Sequence, residues 1–94
     1  TRGNFQQHRY SASILESALT VFESRLADLS REHAPLEWAA IQNSLGNILA
    51  ALAQQQRDVA LYERAVAAFD FALEEFTQQD SPSEWATTQY NLGT

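Results

Sequence analysis

The chain has no cysteine, no methionine and no lysine, and its 94 residues include only three glycines and two prolines. Without cysteine there is no disulfide and no thiolate metal site, though nothing positive follows about compartment. Without lysine, six arginines stand against twelve acids, for a formal charge of −6. A nucleic-acid partner needs a basic face that displaces counterions from phosphate, and none is available. The same acidic balance repels anionic membrane surfaces. The longest apolar run, Ile48 to Ala53, falls far short of the roughly 20 residues that span a bilayer. No charged-then-apolar leader resembles a signal peptide, so cytoplasm is the default expectation. The missing initiator methionine suggests an excised or processed piece.

What the chain does have is abundant Ala, Leu, Gln and Glu, residues that lose little side-chain freedom in a helix. No stretch of alternating β-branched residues reads as a strand. The apolar fraction of 45% is that of a globular protein. The expected class is all-α.

The sequence also repeats itself. Shifted by 47 positions, residues 15–47 match residues 62–94 at 11 of 33 places. Both tryptophans (Trp38 and Trp85), both prolines (Pro35 and Pro82) and two of the three glycines (Gly46 and Gly93) fall into register. Composition bias aligns alanines by accident, but not this set of rare residues. Internal repeats at such an interval signal stacked supersecondary units.

Within each unit the apolar spacing is helical. Ile14, Leu15, Ala18, Leu19, Phe22, Leu26 and Leu29 predict a helix from about Ser11 to Arg31, with Ser13 and Glu16 as a capping box. Ile41, Leu45, Ile48, Leu49 and Leu52 predict a second from Pro35 to Gln56, with the polar Gln54–Arg57 stretch as connector. Pro35 suits a first turn, where its missing N–H costs nothing. Tyr62, Ala65, Val66, Phe69, Leu73 and Phe76 predict a third from Asp58, its N-cap, to about Gln79. Ser81 caps a fourth that opens with Pro82. Ala39, Gly46 and Ala53 recur at intervals of seven, a ledge of small side chains. A glycine inside a helix costs up to about 1 kcal/mol, so close approach of a neighbouring helix is expected there, with Ala65 and Ala72 as its small surface.

The run Asn43-Ser-Leu-Gly46-Asn, followed by Ala65-x-x-x-Phe69-x-x-Ala72-Leu73, resembles the tetratricopeptide repeat. The later copy supplies Asn91-Leu92-Gly93 and the leading one Ala18 and Phe22. The resemblance covers roughly residues 11–94 and is nearest the lengthened bacterial form, in which Pro-x-Glu-Trp-Ala opens the first helix. It departs from the usual pattern in its 47-residue period and in Arg25, which stands where the family's last alanine falls. It also has Gln42 and Gln89 where a first-helix tryptophan is usual. The resemblance implies antiparallel helix-turn-helix repeats stacked as a short α-solenoid of about four helices. Residues 1–10 are then a connector or helix extension, and 11–33 the second helix of a leading partial repeat. Residues 34–80 form one complete repeat, and 81–94 the first helix of a truncated one.

The resemblance further implies that first helices line a concave groove that receives peptides. Asn43, Asn47 and Gln54, with Tyr90 and Thr94 of the next copy, are its candidate partner-binding residues. An ordinary solvated face is the alternative. Trp38 and Trp85 are expected to fill the wedge between repeats. Phe71 is expected on the polar back of its helix, as a surface contact or an isolated exposed ring. The two histidines, His8 and His33, lack metal-ligand spacing, and no phosphate loop occurs, so neither catalytic residues, metal nor cofactor are expected. The expected function is a protein-protein interaction module for a peptide or protein. The second expectation is self-association into a homo-oligomer through exposed repeat ends, as part of a larger scaffold or signalling protein.

Overall fold

A computed structural model describes residues 12–93. Four helices make up these residues: α1 (Ala12–Asp28), α2 (Pro35–Gln56), α3 (Val59–Glu75) and α4 (Pro82–Leu92), with no strand among them. α2 packs most extensively on α3 and next on α1, while α4 rests on α3 and touches α2 lightly.

The 47-residue interval is built into the geometry. α1 and α3 end at 28 and 75, and α2 and α4 begin at 35 and 82. The residues before the two prolines, Ala34 and Ser81, have the same backbone angles, φ −139°, ψ 63° and φ −138°, ψ 62°. The connecting turns share hydrogen bonds as well. Ser30 Oγ accepts from the His33 amide and Thr77 Oγ1 from the Asp80 amide, and the carbonyls of Ser30 and Thr77 accept from Ala34 and Ser81.

These turns correct two expected boundaries. α1 ends at Asp28 rather than Arg31, and α3 at Glu75 rather than near Gln79, because a hydroxyl-capped turn takes over the backbone donors in each case. Ser13 lies inside α1, so it is not the N-cap of a capping box. The expected Gln54–Arg57 connector shrinks to two residues, with α2 helical through Gln56. Arg57 takes a left-handed conformation (φ 52°), and Asp58 caps α3 by accepting from the amides of Ala60 and Leu61 at 3.0 and 3.3 Å. Ser81 stands at the N-cap of α4 as expected, but its side chain makes no capping bond.

The core lies between α2 and α3. Ala39 and Ala72, both fully buried, meet beside Phe76, and Trp38 and Trp85 pack on this cluster together. Leu49, Ala65 and Phe69 form a second cluster, joined by Leu19 of α1 and Leu92 of α4. Gly46 is the closest approach. A Cβ there would sit 2.4 Å from the Phe69 ring, inside any allowed contact. The expected close approach is present, with the Phe69 ring rather than Ala65 or Ala72 seated on the glycine.

Candidate functional site

Residues of α2 and α4 border a shared open recess of about 400 Å3. Ala40, Asn43 and Ser44 line it from α2, and Ser83, Glu84 and Thr87 from α4. The buried Phe76 ring also borders it. Asn43 is half-buried, and its Oδ1 accepts from Asn91 Nδ2 at 3.3 Å, tying the two helices together. Neither helix contains a basic residue, whereas Glu37 and Glu84 stand in their first turns at equivalent register. The polar groups of the recess are therefore hydroxyl, amide and carboxylate, set beside the apolar Ala40 and Phe76. They can pair with main-chain amides and carbonyls and include no cation to bind an anionic ligand.

The other candidate residues are spread more widely. Asn47 is exposed on α2, and Tyr90, 81% exposed, projects from α4. Gln54 is also exposed, but it borders a different recess at the α2–α3 turn, with Ala50, Ala53, Arg57, Val59 and Tyr62. Thr94 lies outside the described residues. Of the four candidates among the described residues, only Asn43 lines the inter-helix recess. Its side chain bonds across to α4 instead of standing on an open solvated face.

Sequence reasoning missed Ser44, Ser83, Glu84, Thr87 and Asn91. The usable signal was the repeat register, which pairs Ser44 with Asn91 and Glu37 with Glu84. It also missed Arg31, whose guanidinium lies 4.1 Å over the Trp38 ring. Arg31 donates to Glu75 Oε2 and Glu74 Oε1, each at 2.6 Å. The Glu74 bond, then the Glu75 bond, raises the arginine pKa. A raised basic pKa stabilises fully below the ordinary value and fades only as pH climbs through the raised one, so this contribution is constant at neutral pH. Phe71 meets the same indole edge-on at 5.9 Å and 69°, so the expected isolated surface ring has an intramolecular partner. A second ion pair, Arg64 to Glu23 at 3.0 Å, links α3 to α1.

Among the described residues no group of acids and histidines is arranged to hold a metal ion, and no helix is long and apolar enough to cross a membrane. Compared with known proteins, the chain matches no protein-family model, no curated protein and no solved structure.

Proposed function

We propose that this chain is a binding module built as a short stack of tetratricopeptide-like helix pairs, with no catalytic role of its own. The recess between α2 and α4 receives an extended segment of a protein partner. One observation carries this reading: two register-equivalent helices, α2 and α4, border the same recess. They present a cation-free lining of Asn43, Ser44, Ser83, Glu84 and Thr87. Such a lining suits the alternating donors and acceptors of an extended main chain. The equal intervals between helix boundaries and the shared turn hydrogen bonds support the stacked arrangement, because repeats of one shape add by a constant displacement. Glu37 and Glu84 favour a neutral or basic segment over an acidic one.

A displayed library of random unstructured peptides, selected against the immobilised chain, tests the reading. Selected peptides should be extended and not acidic. The exposed Thr87, changed to arginine, should weaken a selected peptide by roughly tenfold or more at an unchanged melting temperature. Asn47→Ala should weaken it less. A peptide whose affinity ignores Thr87→Arg binds elsewhere, and the groove reading then fails.

A further inference from the structure

A recess of about 260 Å3 lies among α1, α2 and α3, lined by one stripe of side chains from each. The buried stripe belongs to α2, where Gln42, Leu45 and Leu49 follow the spacing of three and four that sets side chains on one helix face. Leu26 of α1 and Phe71 of α3 stand on either side. The exposed Glu23 and Arg64 join the two outer helices at 3.0 Å, so these two charges satisfy each other. Away from that pair the lining is apolar, Gln42 excepted. Gln42 is 8% exposed, and among the described residues its side-chain amide has no hydrogen-bond partner. Unlike Thr88 Oγ1, which is unpaired and fully enclosed, this amide keeps a surface of its own, and the recess is where that surface opens. A buried amide without a partner costs stability, and leucine would fill a similar volume without that cost. Apolar walls around one placed polar group are the make-up of a ligand pocket.

We propose that this recess binds a small neutral aromatic amide, its ring against Leu26, Leu45 and Phe71 and its amide paired with Gln42. Size sets the first limit. An apolar cavity of about 150 Å3 holds a benzene ring. A recess of about 260 Å3 therefore admits one ring with a polar substituent. It falls short of the roughly 300–1,000 Å3 of pockets for larger ligands. Charge sets the second limit. Glu23 and Arg64 are committed to each other, so a carboxylate or ammonium brought against Leu45 and Leu49 would lose its hydration and meet no opposite charge. Pairing sets the third. The Gln42 side chain offers a donor and an acceptor side by side, and a ligand amide presents the complementary pair. This recess shares no lining residue with the one between α2 and α4, so the inference does not rest on the peptide-binding reading.

Benzamide is the probe, followed by NMR at the Gln42 side-chain amide and at the backbone amides of Leu45 and Leu49. It should shift these signals to saturation with a dissociation constant on the order of 1 mM, as suits so small a ligand. Benzoate should leave them in place. Gln42→Leu keeps the volume and removes the hydrogen-bonding group, so it should lower the ratio of benzamide to toluene affinity by roughly tenfold or more. Ala67, exposed where it borders the recess, gives a variant that leaves the core alone. Ala67→Trp should abolish benzamide binding at an unchanged melting temperature, and it carries the test if Gln42→Leu fails to fold. Benzamide that leaves the Gln42 amide unshifted up to its solubility limit overturns the proposal. So does benzoate that binds as well as benzamide, a Gln42→Leu protein with an unchanged ratio, or an Ala67→Trp protein that binds as wild type does.

Discussion

α2 and α4 repeat one pattern, with a proline at the first position, Glu two residues on, Trp next, and a Leu-Gly step about two turns further along. α2 lies between α1 and α3 and buries Ala39, Gln42, Leu45 and Gly46. α4 leans on α3 and leaves Ala86 and Gly93 exposed and Leu92 half-buried. Identical residues thus have different energetic weights, set by what packs against them. If the helix pairs stack as proposed, stability is divided between the unit and its interfaces, and this pair of helices compares the two contributions.

The largest effect is expected at the two phenylalanines of the covering helices. Phe69→Ala removes a ring that is 2% exposed and leaves a cavity over Gly46, a loss of about 3–5 kcal/mol. That is enough to unfold much of a domain whose whole margin starts at about 5 kcal/mol. Phe22→Ala removes the register-equivalent ring from a half-buried site and should cost about 1–2 kcal/mol. Urea unfolding of the two variants gives the ratio, and equal losses would break the comparison. Next come the glycines. Gly46→Ala gains helix propensity but drives a methyl into Phe69, for a net loss of about 2 kcal/mol. Gly93→Ala meets no neighbour, but φ of 91° strains any residue with a Cβ by about 1 kcal/mol at a helix end. Replacing alanine by serine at each site should widen the gap at 46 and leave it unchanged at 93.

A smaller effect of opposite sign is expected at Thr88. Its register partner is Ile41, yet Thr88 is the more buried of the two, at 0% exposure. Its Oγ1 has no hydrogen-bond partner. A buried hydroxyl left unpaired loses its hydration without compensation, so the isosteric Thr88→Val should stabilise by about 1 kcal/mol. A drop in melting temperature would mean that the hydroxyl is satisfied in solution.

Most of the fold was legible because helical periodicity and the repeat interval are properties of the chain alone. Pro35 and Asp58 mark helix starts through local chemistry, one by its missing N–H and the other by its capping carboxylate. The ends of α1 and α3 were less legible, since Ser30 and Thr77 compete for the backbone only once the turn has formed. The candidate site was legible only in part. Asn43 was named through the resemblance, but its bond to Asn91 depends on how closely two helices approach. A helical wheel sets Phe71 on the back of α3, and nothing local says that the Trp38 indole reaches it. The tetratricopeptide resemblance supplied the idea of a groove, while Ser44, Ser83, Glu84 and Thr87 follow from the helix placement.

The smallest predicted effect concerns the helix starts, where Asp58 and Ser81 occupy the same kind of position with different consequences. Asp58 satisfies two amides of α3 that have no carbonyl partner, so Asp58→Ala should cost about 1 kcal/mol. Ser81 makes no capping bond, and at the equivalent place before α2 the chain already has an alanine, Ala34, with the same φ and ψ. Ser81→Ala should therefore change stability by less than about 0.5 kcal/mol, the scatter of ordinary substitutions. Here the N-terminal turn is fixed by Pro82 and by the hydrogen bond from the Ser81 amide to the Thr77 carbonyl, both of which survive the change. Thermal melts of the two alanine variants side by side are the check. A Ser81→Ala loss as large as that of Asp58→Ala would mean that α4 starts by side-chain capping, and that α2 and α4 do not begin in the same way.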